Sequence, residues 1–230
     1  MPARHFALIP AAGIGARLGA DCPKQYLSIA GKPMLAHVLD TFIFTSAIDH
    51  VFVVVDAGDR HIEPMLAAVA GHEGRLTVLR AGGASRQDSV RNGLRCIREQ
   101  VNDEDWILVH DAARPGLTPA LIAHLLETVQ SDPVGGLLAL PVVDTLKRSA
   151  DHRIDATVSR DNLWAAQTPQ MFRYGLLSQA LEAGGQYTDE AGAIEALGLK
   201  PLLVKGSPRN FKVTLPHDIL LAELYLKGIA

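Results

Sequence analysis

The residues best suited to chemistry lie in the segment "IPAAGIGARLGADCPKQY", which follows an apolar run near the N-terminus. Gly13, Gly15 and Gly19 allow close backbone approach and leave main-chain N–H groups free to face an anion. The same segment carries two cations, Arg17 and Lys24. Cations beside a glycine turn indicate a loop that neutralises charge on a triphosphate, including charge that develops during group transfer. The alternative is a solvated surface loop that happens to carry two cations.

Two common phosphate-binding patterns do not fit this segment. The dinucleotide pattern G-x-G-x-x-G needs a third glycine where the chain has Leu18, and no acidic residue ends a strand about 20 residues later. The pattern G-x-x-x-x-G-K-[ST] fails because Gly19 is followed by Ala20. The sequence therefore predicts a phosphate-binding loop of another kind.

A second group of reactive side chains stands in "VHDAARP". An apolar run delivers Asp111 to the end of a predicted strand, where one carboxylate suits Mg²⁺ that takes its other ligands from phosphates and water. Arg114 is predicted to bind an anionic group with two hydrogen bonds. The alternative is that Asp111 caps the turn and pairs with Arg114. His110 is interpreted as a packing residue or as one that supports a neighbouring site residue.

Two further segments give weaker signals. In "GGASRQDSVRNG", a glycine turn opens a helix, and the hydroxyls of Ser85 and Ser89 are candidates to meet a base or a ribose. Ser85 is equally well explained as the N-cap of that helix. In "RNFKVTLPHD", Lys212 lies inside a predicted strand.

The elements that must position these residues follow from the apolar pattern. Short, nearly continuous apolar runs recur as "HFALIP", "HVFVVVD", "RLTVLRAG", "DWILVHD" and "GGLLALPVV", as is typical of strands buried on both faces. Amphipathic stretches lie between them, with Pro33 and Pro119 predicted at first helical positions and Thr118 as a cap. The alternation predicts an α/β fold with a mostly parallel sheet flanked by helices, in one domain over residues 1–230.

The pattern changes after Val143, where strand-like pieces are separated by the polar turns "ADHR" and "RDN". We expect an antiparallel excursion at about residues 141–168. It is too short and polar to bury a core alone, so it is expected to pack on something else, such as a second subunit. Helical patterns return in "RYGLLSQALEAGG", "TDEAGAIEALG" and "PHDILLAELYLKGI".

Composition restricts the partners. The 230 residues are 48% hydrophobic and include 22 basic and 25 acidic side chains, a formal charge of −3, so we expect neither nucleic acid nor a membrane surface as a partner. Cys22 and Cys96 have no metal-ligand spacing and are predicted to be buried or idle thiols of a cytoplasmic protein. The sequence shows no signal-peptide pattern and no run of about 18 apolar residues.

The segments "AAGIGARLG", "PKQY", "GGASRQDSV", "VHDAARP", "LWAAQTPQ" and "NFKVT", in this order, closely resemble the 2-C-methyl-D-erythritol 4-phosphate cytidylyltransferase family, from about residue 6 to about residue 228. The resemblance implies a Rossmann-like nucleotidyltransferase fold whose protruding β-arm exchanges between the subunits of a homodimer. It also implies that CTP and a polyol phosphate, methylerythritol phosphate, are the substrates, and that Mg²⁺ bridges the nucleotide phosphates.

The resemblance also assigns roles to individual positions. Arg17 and Lys24 match the pair that stabilises the transition state, and Lys212 matches a residue that positions the acceptor phosphate. Asp111 matches the position that meets the metal or the substrate hydroxyls. The positions matching those around the nucleotide are Ala11, Ala12, Gly13, Gly15, Gly83, Ala84 and Ser89.

On the arm, Thr145 and Arg160 match residues that reach the acceptor in the partner's active site, and Thr188 matches one from the same subunit. Two positions stand apart from the pattern. Gly116 lies where relatives often carry a bulkier residue, which is expected to loosen that turn without touching a proposed contact, and Arg209 adds a charge near Lys212.

Two alternatives stay open at this point. Ribitol 5-phosphate cytidylyltransferases share fold, nucleotide and mechanism, but tend to read "AGG" and "HDSVRP" where this chain reads "AAG" and "HDAARP". Sugar-1-phosphate nucleotidyltransferases and molybdopterin-linked relatives share the first loop alone. The other alternative is a non-catalytic nucleotide-binding domain, which would not need the cations Arg17, Lys24 and Lys212 together with Asp111.

Overall fold

The computed structural model describes residues 3–13, 22–67, 69 and 71–228. The predictions for Gly15, Arg17 and Gly19 lie outside these residues. The described strands are β1 His5–Pro10, β2 Ser28–Ile29, β3 Lys32–Pro33, β4 His50–Val54, β5 Leu76–Leu79, β6 Trp106–Val109, β7 Gly136–Pro141, β8 Leu146–Ala150, β9 Arg153–Val158, β10 Trp164–Arg173 and β11 Leu202–Lys205. The described helices are α1 Met34–Ile43, α2 Ile62–Leu66, α3 Arg86–Ile97, α4 Pro119–Val129, α5 Tyr174–Glu182, α6 Glu190–Ala196 and α7 Pro216–Leu226.

A seven-stranded sheet organises the described chain, with the order β11-β7-β10-β6-β1-β4-β5. Strand β1 pairs in parallel with β4 and β6, β4 with β5, and β11 with β7. Strand β10 runs antiparallel to both of its neighbours, β6 and β7. The α/β fold with a mostly parallel sheet is confirmed, and one reversed strand lies in its middle.

Both faces of the sheet are buried, which explains why its strands are apolar without alternation. In β1, Ala7 and Ile9 join the core that α1, α2 and α4 cover. The intervening Phe6 and Leu8 join the core that α3, α5 and α6 cover. Since side chains alternate along a strand, the inner strands contribute to both layers, and the result is a three-layer sandwich; the edge strand β11 buries only Val204 in one of them.

The helix starts follow their capping residues. Ser85 accepts a hydrogen bond from the N–H of Asp88 at the start of α3, and Thr118 does the same for α4, whose first residue is Pro119. These two starts are confirmed. Pro33 is different, because it belongs to β3 and immediately precedes α1 instead of being its first helical residue.

The excursion after Val143 contains a separate two-stranded sheet of β8 and β9, called the arm from here on. Its turn places Asp151 and His152 at positive φ. The predicted boundary at about residue 168 extends past the arm, since β10 belongs to the main sheet and is buried over residues 167–172. The side chains of Val143 and Ile154 are 73% and 69% exposed, so this single chain does not cover the apolar surface near the arm.

The C-terminal part differs from the sequence prediction in two ways. Strand β11 was not expected, because "LLVK" is short and lies at the edge of the sheet. Lys212 is not in a strand; it lies in an irregular segment between a 3₁₀ turn, Pro208–Asn210, and α7. One main-chain bond, from the Val213 N–H to the Ala113 carbonyl at 2.8 Å, fixes this segment beside the loop that follows β6.

Two predictions from composition can be compared with the structure. Cys22 is half-buried and Cys96 is exposed, and both are free thiols. Of the two predicted alternatives, a buried thiol or an idle one, Cys96 is therefore not the buried one. Among the described residues no helix is long and apolar enough to cross a membrane.

Close packing of α3 on the sheet depends on Gly93, and this generates a prediction. A Cβ atom there would lie 2.7 Å from Val54 Cγ2 and 3.0 Å from Leu8 Cδ1. Gly93→Val is therefore expected to lower the free energy of unfolding by about 1–3 kcal/mol through overpacking. Cys96→Val, at an exposed position of the same helix, is the matched control and should change it by less than about 0.5 kcal/mol. Urea unfolding of both variants is the measurement, and equal stabilities would contradict the packing argument.

Candidate active site

A cavity of about 450 Å³ opens at the carboxyl ends of β1, β4, β5 and β6. Ligands of open α/β sheets bind at this edge. Glycines and alanines form much of the wall, and five charged residues line it. The described lining residues are Pro10, Ala11, Ala12, Gly13, Lys24, Gln25, Asp56, Gly83, Ala84, Ser85, Arg86, Ser89, Asp111, Ala112, Ala113 and Lys212.

The turn before α3 forms one side of the cavity. A Cβ atom on Gly83 would lie 2.4 Å from the Cβ of Asp88, so only glycine fits there. The Ser89 hydroxyl accepts from the Gly83 N–H at 3.0 Å and donates to the Ser85 carbonyl at 2.9 Å. Ser89 therefore fixes the glycine turn, and its oxygen keeps one lone pair for a ligand.

The loop after β1 meets the C-terminal segment on the opposite side. Gln25, which is buried, donates to the Ala11 carbonyl at 2.7 Å and so fixes the start of that loop. The Lys24 ammonium donates to the Val213 carbonyl at 3.1 Å. Because Val213 follows Lys212, the two lysines are brought to the same corner of the cavity although they are far apart in sequence.

Asp111 is the centre of the charge arrangement. Its Oδ1 accepts from Arg86 Nε at 2.7 Å, and its Oδ2 lies 2.9 Å from Lys212 Nζ and 3.6 Å from Arg114 Nε. Burial alone would raise the pKa of the Asp111 carboxyl, but the charges of Arg86 and Lys212 outweigh burial and hold the pKa well below its usual range. Removing one partner of such a buried pair costs about 3–5 kcal/mol. The pairing of Asp111 with Arg114, one of the alternatives considered from the sequence, is present, but its distance is the longest of the three.

Arg86 carries the network further. Its Nη1 and Nη2 donate to the two carboxylate oxygens of Glu190 at 2.7 and 3.0 Å, and Glu190 is only 1% exposed. The forked pair is the geometry in which arginine binds a carboxylate most strongly. Three cations face two carboxylates in this cluster, so it keeps a net positive charge next to the cavity.

A second cavity, of about 180 Å³, adjoins the first. The two cavities share the side chains of Arg86, Asp111 and Lys212. The other residues that line the second cavity are Arg114, Ala166, Gln167, Thr168, Gln170, Thr188 and Asp189. A charged partition thus separates a larger pocket of small residues from a smaller polar pocket, an arrangement suited to holding two anionic substrates side by side.

The predicted metal ligand, Asp111, does not fit a directly bound divalent cation in this arrangement. Both of its oxygens already face cations, and a metal there would lie close to Arg86, Arg114 and Lys212. Among the described residues, no group of three or more His, Cys, Asp or Glu side chains could hold a metal ion. Any metal at this site must take most of its ligands from substrate phosphates and water.

Comparison with known proteins identifies the family. Residues 5–228 match the family model described as IspD, 2-C-methyl-D-erythritol 4-phosphate cytidylyltransferase. The chain belongs to this family. A relative of that name from Dechloromonas aromatica is 51% identical over 226 residues, covering 98% of both chains. Another of that name, from Ralstonia nicotianae, is 53% identical over 236 residues, covering 99% of this chain and 93% of the relative.

Solved structures agree with the sequence comparison. A crystal structure of 4-diphosphocytidyl-2C-methyl-D-erythritol synthase has a TM-score of 0.87 and 42% identity, covering 98% of this chain and 99% of that one. The Francisella tularensis 2-C-methyl-D-erythritol 4-phosphate cytidylyltransferase has a TM-score of 0.82 and 33% identity, covering 97% of this chain and 100% of that one. The family resemblance predicted from the sequence is therefore confirmed, together with the nucleotidyltransferase fold.

In this member of the cytidylyltransferase family, most predicted site residues lie around the two cavities. Thr188 and Arg114 line the second one, although Arg114 donates to the carbonyls of Asn210 and Ala166 at 2.8 and 3.4 Å. Thr145 and Arg160 lie on exposed loops at the two ends of the arm and line neither cavity. Arg17 and Gly15 lie outside the described residues.

Sequence reasoning missed three residues of the site. Arg86 stands within the quoted segment "GGASRQDSV", but an arginine at the start of a helix carries no signal of its own. Gln25 follows the predicted Lys24, and only its buried bond to Ala11 reveals its role. Glu190 reads as an ordinary acidic residue in the first turn of a helix, where a negative charge is common.

Gly116 and Arg209, the two positions that stand apart from the family pattern, contact each other. A Cβ atom on Gly116 would lie 1.8 Å from the Arg209 carbonyl oxygen. This close approach holds the 3₁₀ turn that precedes Lys212 against the loop after β6, so a side chain at position 116 would require that turn to move. Arg209 is not one of the predicted site residues, and the expectation that Gly116 touches no proposed contact stays a prediction. The Arg209 guanidinium donates to the Tyr225 carbonyl at 2.6 Å and so faces α7.

His110 is buried and orders the loop that carries Asp111. Its Nε2 faces the Arg114 carbonyl at 3.2 Å and must donate, because a carbonyl can only accept. Its Nδ1 then accepts from the Thr168 hydroxyl at 2.9 Å, whose oxygen accepts the Asp111 N–H at 3.1 Å. A neutral imidazole satisfies this chain of bonds, and burial, which lowers the pKa of His110, favours that form. This agrees with the interpretation of His110 as structural.

The burial of His110 predicts a pH dependence of stability. Burial lowers its pKa from 6.5 to about 4, so the unfolded chain binds a proton between these values while the folded chain does not. The stabilisation is complete above about pH 6.5 and is lost as the pH falls towards 4, by up to about 3 kcal/mol. His110→Gln can donate and accept but does not titrate. Its deficit in unfolding free energy relative to wild type should shrink between pH 7 and pH 4; a constant deficit would contradict the neutral assignment.

Proposed function

We propose that the protein transfers a cytidylyl group from CTP to 2-C-methyl-D-erythritol 4-phosphate, with release of pyrophosphate. Family membership over residues 5–228 and about 50% identity to proteins named for this activity support the reaction. The geometric observation that carries it is the convergence of Lys24, Asp111 and Lys212 on the first cavity, since Asp111 and Lys212 also line the second cavity beside it. A non-catalytic nucleotide-binding domain would have no need of the second cavity.

The reaction joins two anions. A phosphate oxygen of the acceptor attacks the α-phosphorus of CTP, a new P–O bond forms, and the bond to the β-phosphate oxygen breaks as pyrophosphate leaves. No covalent intermediate with the protein is needed, so catalysis consists of positioning and charge neutralisation. In this proposal Lys24 and Arg17 stabilise the charge on the transferring phosphate, and Lys212 holds the acceptor phosphate.

The remaining residues bind and orient the substrates. The first cavity, whose wall is built from small residues and main chain, receives the cytidine and its phosphates, at the positions Ala11, Ala12, Gly13, Gly15, Gly83, Ala84 and Ser89. The second cavity receives the polyol, with Thr188 and Arg114 at its wall and Asp111 between the two substrates. A small base suits a pocket of this kind because purines need more room.

Mg²⁺ is proposed to enter with CTP, since nucleotide phosphates supply the oxygen ligands that this ion prefers. When bound, it would neutralise phosphate charge and favour departure of pyrophosphate. The part played by Asp111 in this proposal is to hold Lys212 and Arg86 in place, because its oxygens are occupied by these cations.

We also propose a cytoplasmic location.

The deciding experiment measures pyrophosphate release with CTP and Mg²⁺, with methylerythritol phosphate and ribitol 5-phosphate offered separately. Turnover of methylerythritol phosphate alone is the expected result. Turnover of ribitol 5-phosphate alone would keep the mechanism and change the acceptor. CTP binding by calorimetry with no turnover of either acceptor would contradict catalysis.

Lys24 provides a direct test of the charge argument. Lys24→Ala is expected to reduce kcat by roughly 100-fold or more, as for the loss of one electrostatic stabiliser of a transition state. Lys200→Ala, which removes a positive charge from an exposed site remote from the cavities, is the matched control and should leave kcat unchanged. A loss of less than about threefold in Lys24→Ala would mean that this lysine has no catalytic part.

We propose further that the protein acts as a homodimer in which the arm of each subunit completes the partner's site. Thr145 and Arg160, which line neither cavity of their own chain, are then positioned to contact the acceptor in the partner. The exposed apolar side chains near the arm support this proposal, since Val143, Ile154 and Trp164 would be covered in the dimer.

The arm proposal predicts complementation between inactive subunits. Arg160→Ala should fold and bind CTP but raise the acceptor KM at least tenfold, while Arg153→Ala on the same arm serves as control. Mixing Arg160→Ala with Lys24→Ala subunits should restore about a quarter of wild-type activity, because each mixed dimer contains one intact site. An acceptor KM near that of wild type in Arg160→Ala, or no recovery on mixing, would contradict exchange of the arm.

A further inference from the structure

The start of α3 is joined to residues 185–190, which end at the first residue of α6, by side chains that have no part in the transfer step proposed above. Arg86 makes the forked pair with Glu190 described above. Its neighbour Gln87 donates to the Gly185 carbonyl and accepts the Tyr187 N–H, both at 2.9 Å. Two consecutive residues of α3 therefore hold a segment that contains Thr188.

Arg86 also reaches the centre of the site. Its Nε donates to Asp111 Oδ1, and the other oxygen of Asp111 faces Lys212. Charges of alternating sign thus run from Glu190 through Arg86 and Asp111 to Lys212, along the partition between the two cavities. Arg86 lines both cavities, which places it between the substrates.

The forked pair with Glu190 sets the orientation of the Arg86 guanidinium. A guanidinium that gives two N–H groups to one buried carboxylate and a third to another has its charge matched and its orientation fixed. Without Glu190, the same guanidinium would be free to turn towards the phosphates in the larger cavity. Glu190 therefore keeps Arg86 directed at Asp111 and away from the nucleotide.

We propose that Arg86 and Glu190 form one positioning unit, called the clasp, which sets the acceptor pocket relative to the nucleotide pocket. Through Asp111 the clasp fixes the direction of Lys212, and through the segment 185–190 it fixes Thr188. The clasp acts on the acceptor indirectly, by positioning Lys212 and Thr188, and Arg86 and Glu190 are positioning residues, not catalytic ones. This inference rests on the proposed function, because the acceptor pocket has its meaning in that reaction.

If the clasp positions the acceptor pocket, substitutions in it should weaken binding of the acceptor and leave binding of CTP nearly unchanged. Glu190→Gln and Arg86→Lys should each raise the acceptor KM about tenfold or more, while CTP affinity measured by calorimetry stays within about threefold. Lysine keeps the charge of Arg86 but cannot bind Glu190 in a fork while it also donates to Asp111. The double variant should lose no more than the worse single variant, since both changes break one unit.

A matched control lies on the same helix. Arg95 makes a forked pair with Glu182 at 2.6 and 2.7 Å, but this pair is solvent-exposed and remote from both cavities. Arg95→Lys and Glu182→Gln should leave both KM values unchanged. An equal effect of the control pair would show that a link between α3 and its neighbours matters only for folding, and would overturn the inference.

Amide hydrogen exchange tests the clasp independently of the proposed function, because it does not depend on catalytic activity. The Tyr187 and Ala191 amides, which donate to Gln87 and Gln170, should exchange about tenfold faster in Glu190→Gln than in wild type. If wild type transfers nothing to methylerythritol phosphate, the proposed function fails, and exchange still decides whether the clasp holds the segment. Unchanged exchange with an acceptor KM within twofold overturns the clasp. Weaker CTP binding in Arg86→Lys but not in Glu190→Gln also overturns it, because Arg86 would then bind the nucleotide directly.

Discussion

The site depends on one constraint, the burial of the Asp111 carboxylate. A charge removed from water must be compensated by partners nearby, and here the partners come from three separate parts of the chain. Arg86 belongs to the first turn of α3, Arg114 to the loop after β6, and Lys212 to the segment before α7. Compensating this one charge therefore joins the turn before α3, the loop after β6 and the segment before α7 at one place. The sheet supplies the edge, but the charge balance sets the arrangement at that edge.

The same arrangement explains why the site suits reactions between anions. The cluster has more cations than carboxylates, and Lys24 adds another positive charge at the same corner. Most of these cations are already oriented by hydrogen bonds before any substrate is present. Preoriented charge does not have to reorganise during the reaction, which is the main source of electrostatic catalysis. Rigid positioning by buried pairs thus serves chemistry more than it serves stability.

Much of this could be predicted from the sequence, and the exceptions have physical reasons. Continuous apolar runs identified the buried strands, and side-chain caps identified the starts of α3 and α4. Asp111 was identified as a site residue because an apolar run brings its carboxylate to the end of a predicted strand, where it suits Mg²⁺. Its partners were harder to assign, because whether Arg86 faces solvent or Glu190 depends on how two helices pack. The position of Lys212 was also misjudged, since β-branched and aromatic neighbours resemble a strand whether or not another strand is available to pair with it.

The reversed strand β10 has a consequence for the arm. The chain leaves the sheet at Pro141 and returns at Trp164, and these two residues are paired, with a bond of 2.9 Å from the Val142 N–H to the Leu163 carbonyl just beyond them. The arm therefore begins and ends on two adjacent, hydrogen-bonded strands of the sheet, and residues 142–145 and 159–163 connect its own two-stranded sheet to them. Because both of its ends are anchored on paired strands, the place where the arm leaves the subunit is set by the sheet that carries it. In a pair of such subunits, the sheet of each subunit would therefore help, through its arm, to set the geometry of the catalytic pocket of the other.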